Sequence, residues 1–128
     1  MQPGLIITVS ALLTCFCYNE LTMTGLNGKW VDMSTKTDTL TFGPFGRQDL
    51  MILGRGTELR NGSLLPKRGS GLYEYKLVTD DKISLRWGFS SDSNFYDYYF
   101  KQTEDKIIIQ NFFDPAASKA MLTFKRIN

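Results

Sequence analysis

From residue 26 onwards, apolar and polar residues alternate in short runs that are separated by turn-forming residues. Alternation with a period of two is typical of β-strands that bury one face. The pattern predicts eight strands, at 28–33, 38–42, 49–53, 72–78, 82–89, 95–101, 107–112 and 121–127. An antiparallel meander of this size avoids exposed sheet edges most simply by closing on itself. The sequence therefore predicts an all-β fold, a small up-and-down antiparallel β-barrel of about eight strands.

An internal repeat supports this meander in the second half of the chain. Residues 79–83 (TDDKI) recur as residues 103–107 (TEDKI), 24 residues later. Two strands and two turns fit this spacing, and each copy places an acidic turn directly before a strand.

Two turn signals stand in the first half. Residues 43–46 (GPFG) predict a turn between the second and third strands, because proline donates no ladder hydrogen bond and glycine permits unusual dihedral angles. The Asn61-Gly62 pair is the strongest short hairpin signal, since both residue types tolerate positive φ. It predicts a projecting hairpin within the glycine-rich segment 54–71. The local excess of cations in this segment (Arg55, Arg60, Lys67 and Arg68) fits a solvated loop or, as the functional alternative, contact with an anionic partner such as a lipid headgroup or an acidic polysaccharide.

The phase of the alternation predicts which side chains point into the barrel. The inward set is Tyr73, Tyr75, Leu77, Ile83, Leu85, Trp87, Phe89, Tyr96, Tyr98, Phe100, Ile107, Ile109, Leu122 and Phe124. Five aromatic members of this set are the candidate ligand-binding residues, because phenol and indole groups can line a pocket and hydrogen-bond a ligand. They are Tyr73, Tyr75, Trp87, Tyr96 and Tyr98. Core packing is the alternative interpretation of the same aromatic residues.

An uncharged apolar run of 13 residues, 5–17 (LIITVSALLTCFC), precedes the predicted strands. It is shorter than the ~20 residues of a membrane-spanning helix and fits the apolar region of a secretory signal peptide. Residues 12–15 (LLTC) resemble a bacterial lipobox, which predicts lipidation of Cys15; cleavage by ordinary signal peptidase is the alternative. The predicted organisation is a leader at 1–17, a tether at 18–25 and a barrel domain at 26–128. We expect export to the bacterial cell envelope, as an outer-membrane lipoprotein or a periplasmic protein.

Several classes of function are disfavoured by composition. The chain has no histidine, which excludes histidine-based catalytic triads and histidine-ligated metals. Both cysteines, Cys15 and Cys17, lie in the leader, so the predicted domain has no thiol for a metal or a disulfide. The acidic pairs at 80–81 and 104–105 are placed for turns rather than for convergence across a cleft. A net charge of +2 does not suggest nucleic-acid binding. We expect no enzyme activity, no metal and no cofactor.

Gly28 and Trp30 on the first predicted strand form a Gly-x-Trp motif. The glycine lets the strand bend tightly, and the indole can close one end of the barrel behind it. Arg126 is in phase with Phe124 on the last strand, so its guanidinium can lie over the Trp30 indole if the first and last strands pair. These residues resemble the lipocalin signature over residues 26–127. Together with the lipobox-like leader, the chain is similar to bacterial lipocalin-like lipoproteins.

The resemblance implies a monomeric, non-catalytic barrel that binds a small, partly apolar or amphipathic ligand inside the barrel or at its mouth. The alternative is a protein-interaction or inhibitor module that acts through its loops and has a filled interior. An isomerase or hydrolase is a third possibility, which the missing histidine disfavours. A carrier would leave an apolar cavity of about a few hundred Å³, whereas an interaction module would fill its interior with aromatic side chains.

Overall fold

The structure is a computed structural model that describes residues 25–127. The predicted leader at 1–17, with Cys15, and the predicted tether up to residue 24 lie outside the described residues. The described part of the chain contains ten strands and one short 3₁₀ helix. They are β1 (Gly28–Asp32), β2 (Thr39–Phe45), β3 (Gln48–Gly54), β4 (Thr57–Arg60), β5 (Ser63–Pro66), β6 (Gly71–Thr79), β7 (Lys82–Trp87), β8 (Tyr96–Gln102), β9 (Lys106–Gln110), the 3₁₀ helix (Pro115–Ala117) and β10 (Met121–Ile127).

Eight of these strands form a closed barrel. Their order around the barrel is β1-β10-β9-β8-β7-β6-β3-β2, and every neighbouring pair is antiparallel. The first and last strands pair directly, with Trp30 opposite Arg126. The predicted all-β, closed antiparallel barrel of eight strands is thereby confirmed.

The connections of the barrel alternate between its two ends, because consecutive barrel strands run in opposite directions. We call one end the turn end; it holds the entry into β1 and the short turns, at 25–27, 46–47, 80–81 and 103–105. We call the other the loop end; it holds the longer connections, at 33–38, 55–70, 88–95 and 111–120. The longest of these connections is segment 55–70, which contains β4 and β5.

The predicted hairpin at Asn61-Gly62 is confirmed. Strands β4 and β5 pair only with each other, and Arg60 stands opposite Ser63 across a two-residue loop. Both loop residues have positive φ, 53° at Asn61 and 80° at Gly62, which is the backbone that favours Asn-Gly in a tight hairpin.

The turn predicted at 43–46 is wrong, because β2 continues to Phe45 and the chain reverses at Gly46-Arg47. Pro44 is tolerated inside a strand for a positional reason. Strand β1 pairs with β2 only as far as Phe42, so the end of β2 has no neighbour on that side. A proline at such an edge costs no ladder hydrogen bond.

The barrel interior is a packed core to which all eight barrel strands contribute. Its buried members are Leu26, Trp30, Leu40, Phe42, Met51, Leu53, Tyr73, Ile83, Leu85, Phe100, Ile107, Ile109 and Phe124. Half-buried side chains pack against them, namely Tyr75, Trp87, Tyr98, Phe112, Phe113 and Leu122. Aromatic side chains are thus a substantial part of this core.

Three members of the predicted inward set are not buried. Leu77, Phe89 and Tyr96 are 46%, 72% and 55% exposed. Leu77 lies near the turn end of β6, Phe89 lies beyond the end of β7, and Tyr96 is the first residue of β8. The predictions that these three residues are buried are wrong. Alternation predicts which face of a strand a side chain lies on, but it does not predict where neighbouring strands end and cease to cover it.

Candidate functional site

Trp30 closes the turn end. Its side chain is fully buried, and its indole Nε1 donates a hydrogen bond to the Leu26 carbonyl at 3.1 Å. The Arg126 guanidinium lies over the ring, 4.1 Å from the centroid. Arg126 also donates to the carbonyl oxygens of Asn27, at 3.0 Å, and of Gly25. One side chain on the last strand thus fixes both the indole and the segment that enters the first strand.

Gly28 lets these groups approach each other. Its φ is +126°, and a Cβ at this position would lie 3.2 Å from Nη1 of Arg126. A side chain here would be strained by the backbone and crowded by the guanidinium. The structure therefore brings together Gly28, Trp30 and Arg126, the three residues of the predicted structural motif.

The loop end is closed by a cluster of aromatic rings. Tyr73 contacts Trp87 and Phe112 edge-to-face, with both centroid distances at 5.0 Å. Phe112 also contacts Phe113 at 5.3 Å and Tyr98 at 6.2 Å. Edge-to-face pairs of this kind are favourable beyond the apolar area that they bury. We call these five residues the loop-end cluster.

Arg55 ties this cluster to two neighbouring connections. Its guanidinium lies 4.5 Å from the centroid of Phe113. It also forms an ion pair with the buried carboxylate of Asp38 at 3.2 Å and donates to the Arg68 carbonyl at 2.7 Å. Connections 33–38, 55–70 and 111–120 therefore meet at one side chain.

Two glycines let segment 55–70 pack closely against the loop-end cluster. A Cβ on Gly69 would lie 2.5 Å from Cβ of Phe113, and one on Gly71 would lie 2.7 Å from the Trp87 ring. Tyr73 donates a hydrogen bond to the Gly69 carbonyl at 2.7 Å. The segment thus covers the loop end closely at its base.

The inner phenols are neutral hydrogen-bond donors at the pH of a cell. Burial raises the pKa of Tyr73, Tyr75 and Tyr98 above the ordinary value of 10.0. None of them is poised to act as a base or a nucleophile near neutral pH. Their positions suit packing and hydrogen bonding.

The structure brings together three of the five candidate ligand-binding residues: Tyr73, Trp87 and Tyr98 belong to the loop-end cluster. Tyr75 lies against a different part of the core, edge-to-face with Phe42 at 5.3 Å. Tyr96 stands apart from the cluster and is more than half exposed.

Tyr96 is instead part of a surface turn. Its hydroxyl donates to the Asp92 carboxylate at 2.8 Å, and this hydrogen bond raises the pKa of Tyr96. The Asn94 backbone N–H and then the Tyr96 hydroxyl lower the pKa of Asp92. These contacts hold the connection 88–95 in place.

Among the open grooves that residues 25–127 form, two lie on the outer wall of the barrel. The larger has a volume of about 520 Å³ and is lined by Asp32, Met33, Ser34, Lys106, Met121, Leu122 and Thr123. The smaller has a volume of about 300 Å³ and is lined by Asp81, Lys82, Asp97, Tyr98, Tyr99 and Gln110. In the larger groove the Asp32 carboxylate accepts hydrogen bonds from the backbone of Ser34 and Thr35, so it is committed to the local turn.

The most exposed large apolar side chains all belong to the loop end. Leu59, Phe89 and Leu64 are 73%, 72% and 66% exposed. Met33 and Met121, at the same end, are about half exposed. Sequence reasoning assigned Phe89 to the interior and did not single out the leucines.

Within residues 25–127, no three or more His, Cys, Asp or Glu side chains are grouped so that they could hold a metal ion. In the same part of the chain, no helix is long and apolar enough to cross a membrane. No protein-family model, no curated protein and no solved structure matches the chain.

Proposed function

We propose that this chain is a non-catalytic, monomeric interaction module that binds a protein partner through the loop end of its barrel. The observation that carries the proposal is Phe89, which is 72% exposed although it contacts Trp87 edge-to-face at 5.5 Å. An exposed aromatic side chain supported by a packed one is the arrangement of an interface anchor, because its position is already fixed before binding. Met33 and Met121 are further exposed apolar side chains at the same end of the barrel.

The filled interior supports an interaction module over a carrier. The loop-end cluster occupies the mouth through which a ligand would enter a lipocalin-like barrel. Arg55 and Gly69 hold segment 55–70 across it. A carrier would have to break these contacts to admit a ligand.

The proposal includes export and a lipid anchor on Cys15, supported by the lipobox-like residues 12–15 and by the resemblance to bacterial lipocalin-like lipoproteins. The described chain begins at the turn end, where Gly25 accepts a hydrogen bond from Arg126. An anchor reached through this segment joins the barrel at the end opposite Phe89.

Site-specific photocrosslinking tests this function, with a photoreactive phenylalanine analogue placed at Phe89 or, as a matched control, at Phe45. Both are exposed phenylalanines, but Phe45 is 43% exposed and lies at the turn end. In cells that produce the full chain, we expect a discrete protein adduct from position 89 and none from position 45. Adducts from both positions alike, or from position 45 alone, would reject the loop end as the interface.

A small amphipathic ligand is the second candidate, and the larger groove favours it. Met33, Met121 and Leu122 offer an apolar wall, and Lys106 offers a cation at the same groove. Native mass spectrometry of gently purified full-length protein would detect a co-purified small molecule. A clean apo mass, together with no thermal shift from fatty acids, would reject this candidate and leave the interaction module standing.

A further inference from the structure

The β4–β5 hairpin is a small sheet with one uncovered apolar face. Its two strands pair only with each other, and Leu59 stands directly opposite Leu64. Residues opposite each other in an antiparallel pair share a face, so both leucines lie on the same side as Thr57 and Pro66. All four of these residues are exposed.

The hairpin and the residues directly after it carry an excess of cations. Arg60, Lys67 and Arg68 stand against a single carboxylate, Glu58, within residues 57–68. Arg60 donates to the Pro66 carbonyl at 2.7 Å, so its guanidinium is held beside the second strand. Arg68 is exposed and Lys67 is partly exposed. Apolar side chains at a projecting tip and cations beside them are the two features that attract a segment to an anionic bilayer surface.

We propose that the β4–β5 hairpin docks onto bilayers that contain anionic phospholipids, with Leu59 and Leu64 entering the headgroup boundary and the cations contacting lipid phosphates. A second copy of the chain is a poorer occupant, because stacking two hairpins would bring their cations together. This contact goes beyond the proposed function, since it uses the hairpin and not the Phe89 surface.

The base of the hairpin makes this docking directional. Arg55, just before β4, is fixed to Asp38 and Phe113, and Gly69, just after β5, lies against Phe113. The hairpin is therefore connected to the barrel at both of its ends by specific contacts. Docking of the leucines would orient the barrel at the membrane as well as hold it there.

A fluorescent label at the hairpin tip tests the inference in the full chain. In a Cys15→Ser, Cys17→Ser background, a single cysteine replaces Ser63 at the tip and carries an environment-sensitive fluorophore. With vesicles of phosphatidylethanolamine and phosphatidylglycerol, we expect a shift of emission to shorter wavelength and protection from an aqueous quencher. The matched label at Glu104→Cys, in an exposed turn of the turn end, should keep its aqueous emission.

Substitutions in the same labelled chain separate the two features. Leu59→Ser with Leu64→Ser should weaken vesicle binding by roughly tenfold or more, because apolar area no longer leaves water. Leu77→Ser with Val78→Ser is the matched control and should leave binding unchanged; these residues are 46% and 50% exposed at the turn end. Lys67→Glu with Arg68→Glu should weaken binding by roughly tenfold at low salt.

Several outcomes would overturn the inference. They are an unshifted label at position 63, equal shifts with pure phosphatidylcholine vesicles, and unchanged binding after the leucine substitutions in a chain that melts like the parent. If the leucine variant failed to fold, the charge-reversed variant would decide the question alone. A label at position 63 that shifted only with a protein partner would reject the membrane and assign the hairpin to the protein interface.

Discussion

Each end of the barrel is closed by an arginine guanidinium that lies over an aromatic ring. At the turn end the Arg126 guanidinium lies 4.1 Å from the centre of the Trp30 ring, and at the loop end Arg55 lies 4.5 Å from the centre of Phe113. Each arginine also donates a hydrogen bond to a backbone carbonyl outside the barrel strands. Arg126 donates to Asn27, and Arg55 donates to Arg68. The two ends differ in which parts of the chain the arginine holds together. Arg126 joins the first and last barrel strands, whereas Arg55 joins an inserted segment to a barrel that is already closed.

This difference indicates how each end contributes to stability. The contacts at the turn end hold β1 against β10, so losing them opens the cylinder and exposes the core. The contacts at the loop end hold segment 55–70 over the loop-end cluster, so losing them can release that segment alone. Local opening of this kind has a smaller free energy than global unfolding.

Trp30→Ala should have the largest effect, a loss of about 3–5 kcal/mol in the free energy of unfolding, because it leaves a large cavity at the closure of the barrel. Chemical denaturation followed by circular dichroism measures this loss. Trp87→Ala at the loop end should cost less, since Trp87 is only partly buried. A loss below about 1 kcal/mol for Trp30→Ala, or a larger loss for Trp87→Ala, would contradict the contrast.

Gly69→Ala should have the second-largest effect, a loss of about 1–3 kcal/mol in the free energy of unfolding. The loss comes from overpacking against Phe113 and from the strain of a residue at φ +86°. Gly56→Ala is the control for backbone strain alone, because Gly56 has φ +80° and nothing within 4 Å of the added Cβ. The difference between the two variants in thermal or chemical unfolding isolates the contact with Phe113. Equal losses would mean that segment 55–70 does not press on the cluster.

Arg55→Ala should cost about 1–2 kcal/mol, from the lost contact with Phe113 and the unpaired carboxylate of Asp38. Its effect should be local. Amide hydrogen exchange should accelerate in residues 55–70 and stay unchanged in β1 and β10. Arg126→Ala should instead accelerate exchange in both of those strands, and the reverse pattern would overturn the comparison.

Alkaline pH should have the smallest effect. Burial raises the folded-state pKa of the Tyr73 and Tyr98 phenols above the ordinary value of 10.0, which favours their neutral forms in the folded protein. Their stabilising contribution is complete below that ordinary value and is lost as the pH rises towards the folded-state pKa. Absorbance titration should show late-ionising tyrosines in the folded protein. If all six tyrosines ionised near pH 10.0, the loop-end cluster would not be packed as described.

The sequence predicted the turn end better than the loop end, and the reason is physical. The position of Trp30 and Arg126 follows from strand alternation and from the pairing of the first and last strands. The contact of Arg55 with Phe113 depends on how an inserted segment folds back, for which no periodic pattern exists. Gly69 has the sequence appearance of a linker residue, and its glycine is explained by a positive φ together with the bulk of Phe113 beside it.

The candidate ligand-binding residues show a similar limit. Alternation correctly placed Tyr73 on the inner face, since its direction depends only on strand phase. Tyr96 shares the phase of Tyr98 but lies at the start of its strand, where the wall no longer covers it. The strand bounds, which set such limits, depend on how far each strand pairs with its neighbours. The extension of β2 through Pro44, paired with β3, shows the same dependence.

The base of the inserted segment has an evolutionary consequence. Leu53 and Gly71 stand directly opposite each other in the β3–β6 pair, although the whole hairpin lies between them in the chain. A two-residue turn could bridge these neighbours, so replacement of residues 54–70 by such a turn would leave the register of the barrel intact. Insertions of other lengths could be exchanged at the same junction. The barrel strands and segment 55–70 can therefore diverge in sequence at independent rates, as variable loops do on a constant scaffold.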